Sequence, residues 1–104
     1  MNATFGEFIR DLRLKNGMTL TQLGAKLGLD SANLSKIENS KRDFDQKRLP
    51  LLAEIFGLNL SDVQEEFVTS QLANQIYELN CSNHLLKVAE EKAIYRKTIK
   101  NKSK

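Results

Sequence analysis

The stretch Met18–Lys41, MTLTQLGAKLGLDSANLSKIENSK, contains two short helical patterns separated by Gly28, Leu29 and Asp30. Thr19 is a good N-cap, and Gln22 follows three residues later, which is the spacing of a capping box. Leucines at helical spacing predict that the first of these helices has a buried face: Leu20, Leu23 and Leu27. Gly28 can adopt the left-handed conformation that ends a helix, and Asp30 can cap the next one. The stretch therefore predicts two helices joined by a tight turn.

The second of these helices has two different faces. Leu34 and Ile37 lie one turn apart and are expected to point inward. The opposite face has small or polar residues and no carboxylate: Ser31, Ala32, Asn33, Ser35 and Lys36. Such a face suits the approach of a polyanion, although an ordinary solvent-exposed face of a helical bundle has a similar composition. With the turn, the pattern predicts a helix-turn-helix, whose second helix enters a DNA major groove.

Residues from about Phe5 to Val63 resemble the lambda-repressor-like, Xre-type helix-turn-helix domains of bacterial and phage regulators. The resemblance rests on Phe5-Gly6, Ile9-Arg10, Leu12-Arg13, Gly17-Met18-Thr19, Leu23, Lys26-Leu27-Gly28, Leu34-Ser35-Lys36-Ile37-Glu38, Lys41 and Leu52-Ala53-Glu54-Ile55-Phe56-Gly57-Leu58. Two positions depart from the family pattern. Leu20 stands where a DNA-contacting Gln is usual, so that contact is lost or supplied by Thr21, and Ser40 stands where Gly is usual.

The resemblance and the position on the second helix together predict which residues meet DNA. Ser31, Ala32 and Lys36 match the usual base readers of the family, and Asn33 is placed to pair with adenine. Contacts to the DNA backbone are expected from Thr19, Thr21, Ser35, Asn39, Lys41 and Arg42. The family pattern also implies a structural salt bridge between Arg13 and Glu38, which would link the first helix to the recognition helix. With such short side chains in the reading positions, part of the specificity is expected to come from DNA shape.

The sequence as a whole predicts an all-α fold in which a five-helix DNA-binding domain, residues 1–66, precedes a C-terminal helical hairpin, residues 67–104. The first helix is expected from Phe5 to about Lys15, behind a capping box of Thr4 and Glu7. A fourth is expected over about 46–56 behind Asp45, although Pro50 favours a start nearer Leu49. A fifth is expected to begin at Ser61, packing Leu60 and Val63 on the domain. Separate helices are then predicted over 68–79 and from Ser82 or Asn83 onward.

The C-terminal helices carry more apolar side chains than solvated helices need. We expect these side chains to form a dimer interface: Leu72, Ile76, Leu79, Leu85, Leu86, Val88, Ala89 and Tyr95. Packing on the same subunit is the alternative. The stretch from residue 92 to residue 104 contains no acidic residue, and its basic side chains either neutralise phosphate or form a solvated tail: Lys92, Arg96, Lys97, Lys100, Lys102 and Lys104. A symmetric dimer implies a near-palindromic operator.

Composition agrees with a small binding protein. The chain has 104 residues, a net charge of +3 and one cysteine, Cys81, so an internal disulfide is impossible and a metal site is not expected. The single histidine, His84, lies in no catalytic constellation, and no glycine-rich phosphate loop is present. The sequence therefore predicts a protein that is not an enzyme and needs no cofactor. Neither a leader nor a membrane-spanning stretch is evident, so a cytoplasmic location is expected.

These features predict a homodimeric, sequence-specific transcriptional regulator of double-stranded DNA, acting as a repressor or autoregulator. Control of a restriction–modification system is one form of this prediction. Two other interpretations stay open. In one, the chain is the antitoxin of a toxin–antitoxin pair, whose C-terminal helices bind a toxin as well as a second copy. In the other, it is a helical adaptor protein with no DNA role.

Overall fold

The computed structural model describes residues 1–102, which form six α-helices and one 3-10 turn and contain no strand. The elements are α1 (Phe5–Lys15), α2 (Leu20–Leu27), α3 (Ser31–Glu38), the 3-10 turn (Gln46–Arg48), α4 (Leu49–Phe56), α5 (Leu60–Leu79) and α6 (Asn83–Lys102). The predicted all-helical fold is confirmed. The last residue of the predicted basic tail, Lys104, lies outside the described residues. The chain divides into two compact units, Met1–Asn74 and a second unit that begins at Gln75.

Side-chain caps fix where the first helices begin. The Thr4 hydroxyl accepts a hydrogen bond from the Glu7 amide, but the Glu7 carboxylate accepts from Ala3 instead of closing the predicted box. Thr19 and Gln22 do form the reciprocal box, with bonds of 2.9 and 3.1 Å. Asp45 caps the 3-10 turn, and α4 then starts at Leu49 with Pro50 in its first turn, where no amide donor is needed.

The core of the first unit lies where α1, α2 and α4 meet the buried side of α3. Its fully buried side chains are Ile9, Leu23, Leu27, Leu34, Leu49, Leu52 and Val63. At one side of this core, the ring of Phe5 contacts three other rings, with centroid distances of 5.4 Å to Phe8, 5.5 Å to Phe44 and 5.1 Å to Phe67. Because these aromatic residues come from α1, α5 and the loop after α3, they tie the ends of the domain together.

Helix α5 differs from its prediction. The sequence suggested one helix from Ser61 and another over 68–79, whereas a single helix begins at Leu60 and runs to Leu79. Its first turn is capped by Asn59, whose side-chain oxygen accepts from the Ser61 amide at 3.2 Å. Leu60 is exposed, so only Val63 of the predicted pair packs on the core. No Gly or Pro interrupts 61–79, so the backbone has no reason to break there.

The burial of Phe67 places it in the core of the first unit, which extends to Asn74 and so beyond the predicted boundary at residue 66. In the second unit, α5 ends at Leu79, and Asn80 follows in the left-handed conformation, with φ 52°. The Cys81 amide donates to the Ile76 carbonyl. The Ser82 hydroxyl then accepts from the Leu85 amide and caps α6. Of the helices in residues 1–102, none is both long and apolar enough to cross a bilayer.

Candidate nucleic-acid interface

Helix α3 turns one side into the core and the other to solvent. Leu34, Ile37 and Glu38 are buried, whereas Ser31, Ala32 and Lys36 are exposed. Because the carboxylate of Glu38 is buried, no acidic side chain of α3 reaches the exposed face. The outward side of this helix therefore offers hydroxyl, methyl and ammonium groups to a surface placed against it.

Two glycines let the backbone of other elements come close to α3. A Cβ atom on Gly6 of α1 would collide with the carbonyl oxygens of Ile37 and Glu38. A Cβ atom on Gly24 of α2 would lie 2.5 Å from the Leu29 carbonyl oxygen in the turn before α3. Both approaches are closer than any residue with a side chain allows, so the two glycines fix how near α3 lies to α1 and α2.

An ion-pair network holds the end of α3 to α1. The Glu38 side chain is 2% exposed, and its two oxygens accept from Nε and Nη2 of Arg13 at 2.7 and 2.9 Å. Arg13 also donates from Nη1 to the Met18 carbonyl at 3.0 Å, which ties the loop before α2 to the same group. The hydrogen bond to Glu38 raises the pKa of Arg13, against the lowering effect of burial. The network satisfies the buried carboxylate and fixes the position of α3.

Arg10 also belongs to this network, although no ion pair was predicted for it from the sequence. It donates from Nε to Glu38 at 3.4 Å and from Nη2 to the side-chain oxygen of Asn39 at 2.7 Å. The side-chain nitrogen of Asn39 donates to the Ser35 carbonyl at 2.8 Å. Arg10 lies three residues before Arg13, on the same face of α1, and that spacing was the available signal. Asn39, predicted to contact the DNA backbone, is thus exposed but held in place.

At the other end of α3, Asn33 is half-buried, and both polar atoms of its side chain form hydrogen bonds. Its backbone amide donates to Oδ1 of Asp30 at 2.7 Å, which is the N-cap bond. Its side-chain nitrogen donates to Oδ2 of Asp30 at 3.1 Å, and its side-chain oxygen accepts from Nη1 of Arg42 at 2.6 Å. The structure therefore brings together a predicted base reader and a predicted backbone contact that lie nine residues apart.

Arg48 supports the turn between α2 and α3. Its Nε donates to the Leu27 carbonyl at 2.9 Å, and its Nη1 lies 3.4 Å from the Asp45 carboxylate. The bond satisfies a carbonyl at the end of α2 that the helix itself leaves free. Nothing in the sequence signals this contact, because Arg48 and Leu27 are 21 residues apart and no periodic pattern links them.

The other residues predicted to contact DNA lie around α3, and they differ in exposure and hydrogen bonding. Thr21, Lys41 and Arg42 are exposed, and Ser35 is half-buried. Thr19 is exposed as well, but its hydroxyl oxygen already accepts from the Gln22 amide. Leu20, where the family usually has Gln, packs partly buried against the core and so leaves Thr21 as the polar side chain at this point.

The residues predicted for a dimer interface are solvent-accessible in the single chain. Val88 is half-buried, and the others are exposed: Leu72, Ile76, Leu79, Leu85, Leu86, Ala89 and Tyr95. Within residues 1–102, no cluster of three or more His, Cys, Asp or Glu side chains is arranged to hold a metal ion.

Residues 9–63 match the model of a helix-turn-helix family. The chain belongs to the lambda-repressor-like, Xre-type helix-turn-helix family. This family consists of DNA-binding regulatory proteins and is not an enzyme family. The matched segment runs from within α1 into the first turn of α5 and contains α2, α3 and α4 in full. No match was found among curated proteins or among solved structures.

Proposed function

We propose that this helix-turn-helix protein is a sequence-specific transcription regulator that binds a near-palindromic operator as a homodimer, as a repressor or autoregulator. The observation that carries the proposal is the exposed side of α3, which has no carboxylate beyond the N-cap Asp30 and is held to α1 by the buried Glu38 network. A positioned helix with this surface is what insertion into a major groove requires.

The side chains of α3 divide into two roles under this proposal. Ser31, Ala32 and Lys36 are exposed and meet base edges, Ala32 through a thymine methyl group and Lys36 through guanine. Thr21 and Lys41 are exposed around the helix and bind phosphate, which positions the protein without reading sequence.

The homodimer is supported by the apolar side chains that the single chain leaves uncovered on α6 and the end of α5. Leu85 is 51% exposed and Tyr95 is 65% exposed, although both are side chains that gain free energy from burial. A second copy of the chain would cover them symmetrically. It would also bring two recognition helices to half-sites about one helical turn apart.

The test begins with selection of duplexes from a random library by the full-length protein, followed by binding measurements on the enriched duplex. Lys36→Ala is expected to weaken binding to that duplex by about 1–3 kcal/mol, with a smaller loss on a shuffled duplex. Lys47→Ala is the matched control, because Lys47 is an equally charged, exposed residue on the 3-10 turn and outside the proposed interface. Equal losses for both variants would contradict base reading by Lys36.

An antitoxin is the second candidate, and the same uncovered side chains favour it, since a toxin would also bury them. Both candidates pair with a second copy of the chain, so the distinguishing observation is a gene for a small toxin beside this one, which would favour the antitoxin. A helical adaptor with no DNA role would cause no retardation of DNA at low salt and micromolar protein.

A further inference from the structure

The side chain of Asn33 lies between a negative and a positive group. Its nitrogen donates to the Asp30 carboxylate at 3.1 Å, and its oxygen accepts from the Arg42 guanidinium at 2.6 Å. This orientation is the only favourable one, because a flipped carboxamide would direct its oxygen at the carboxylate and its N–H groups at the cation. The charges of Asp30 and Arg42 thus hold Asn33 in one orientation.

This arrangement makes Asn33 a poor base reader. Pairing with adenine uses the oxygen and the nitrogen of the carboxamide together. Here both atoms already form hydrogen bonds to charged groups, which are stronger than bonds between neutral groups. Asn33 is also half-buried, whereas Ala32 and Lys36 are exposed. Base reading, the role predicted for Asn33 from its position, is therefore better assigned to the residue that Asn33 holds in place.

Arg42 is that residue. It lies in the loop after α3 and is exposed, yet Asn33 fixes its guanidinium beside the first turn of the recognition helix. The bond to Asn33 uses one of the five guanidinium donors and leaves the others free for a ligand. Because the side chain is already ordered, it loses less conformational entropy on binding than an unattached arginine would.

We propose that Arg42 reads a guanine in the major groove and that Asn33 is the residue that positions it. The inference rests on the proposed function, since it assigns a reader within the same interface. The first turn of a recognition helix is the part that meets base edges, and the guanidinium fork matches O6 and N7 of guanine. Asp30 is exposed on the other side of Asn33, and both of its carboxylate oxygens accept hydrogen bonds from Asn33.

The experiment is a double-mutant cycle on the full-length protein, with the duplex enriched by selection and a shuffled duplex of equal length. Asn33→Ala and Arg42→Ala are each expected to weaken binding to the enriched duplex by about 5- to 150-fold, the range for one bidentate base contact. The double variant should be no weaker than Arg42→Ala, because Asn33 acts through Arg42. Thermal unfolding of each variant checks that the fold is retained, and Arg42→Ala removes only an exposed loop side chain.

Two further variants separate a base contact from a phosphate contact. Arg42→Gln replaces the guanidinium with a carboxamide, which pairs with adenine and not with guanine, so repeated selection with it should lose the preference for G at one position of each half-site. Lys41→Ala removes the neighbouring exposed cation, and its effect should be similar on both duplexes and additive with Asn33→Ala.

Each other outcome has a definite meaning. Equal losses for Arg42→Ala on the two duplexes would make Arg42 a phosphate contact and overturn the inference. Additive losses in the cycle would show that Asn33 does not position Arg42. An enriched duplex that Arg42→Ala binds as well as the wild-type protein would overturn the inference and leave the proposed function standing. Enrichment of no duplex at all would overturn the proposed function together with the inference.

Discussion

Glu38 connects more of this domain than any other single side chain described above. Its two oxygens join Arg13 and Arg10 of α1 to the last turn of the recognition helix, and Arg13 extends the connection to the Met18 carbonyl. A carboxylate as buried as this one is stable only because each oxygen accepts hydrogen bonds from a cation. Together with Gly6 and Gly24, Glu38 therefore sets the position of α3, the proposed recognition helix.

Glu38→Ala is expected to lower the free energy of unfolding by about 3–5 kcal/mol, because it leaves the charge of Arg13 without its partner in a site that is only 12% exposed. Urea denaturation measures the loss. Asp43→Ala is the control, since it removes an exposed carboxylate outside the Glu38 network and should change the free energy of unfolding by less than about 0.5 kcal/mol. Similar losses for the two variants would contradict the structural role of Glu38.

The charge of Arg13 in the Arg13–Glu38 pair should not make the stability of the fold depend on pH near neutrality. The hydrogen bond to Glu38 raises the pKa of Arg13 in the folded protein. A raised pKa stabilises the fold at every pH below the unfolded value, and the contribution is lost only as the pH rises through the folded value. For an arginine that range lies far above neutrality, so Arg13 stays charged under any condition in which binding is measured.

At the scale of elements, the end of α3 has a closely defined geometry. The Lys41 amide donates to the Lys36 carbonyl at 2.8 Å, and the Ser40 amide donates to the Ile37 carbonyl at 3.1 Å. These two bonds form a Schellman motif, which requires a left-handed residue between helix and loop. Ser40 occupies that position with φ 60°, where the family usually has Gly. The departure noted in the sequence is thus a point of backbone strain.

Ser40→Gly is expected to raise the free energy of unfolding by about 0.5–1 kcal/mol, because glycine adopts this conformation without steric cost. The midpoint of thermal unfolding should rise by several degrees. The reverse exchange, Gly57→Ser, serves as the matched control: Gly57 ends α4 with φ 63° and has open space at its Cβ, so that variant should lose a similar amount. A neutral Ser40→Gly beside a destabilised Gly57→Ser would show that Ser40 is not strained.

The elements also show what a sequence can and cannot predict. Caps such as Thr19 with Gln22, and Asp30 before α3, could be predicted because donor and acceptor lie within one turn of each other. The continuity of α5 was missed because a domain boundary was predicted after residue 66, although no helix breaker lies there.

Apart from the Arg13–Glu38 salt bridge, which the family resemblance implied, contacts between distant segments could not be predicted. The burial of Phe44 against Phe5 and the bond from Arg48 to Leu27 depend on how the helices pack, and no local pattern carries that information. The exposed side of α3 was predictable from helical periodicity. The bond between Asn33 and Arg42 was not, since Arg42 lies in a loop without regular structure.

For the whole molecule, the central question is whether two chains bind DNA together. A single recognition helix contacts a few base pairs, so a monomer gains little discrimination. Two chains joined through their C-terminal helices would bind two half-sites as one unit, and the second half-site would then bind at a high effective concentration. The uncovered apolar side chains on α6 are the part of the structure that favours this arrangement.

Leu85→Glu tests this arrangement, because a carboxylate in an apolar interface would have to lose its hydration without a partner. We expect the variant to sediment as a monomer and to bind a duplex with two half-sites about 100-fold more weakly, while its affinity for a single half-site stays unchanged. Leu14→Glu is the matched control: Leu14 is 58% exposed on α1, close to the 51% of Leu85, and lies outside the proposed interface. Since both variants add one negative charge, repulsion from DNA alone would weaken them equally on both duplexes. A loss of affinity seen only for Leu85→Glu, and only on the duplex with two half-sites, would therefore measure the coupling between two chains. Equal losses for the two variants would contradict the proposed dimer.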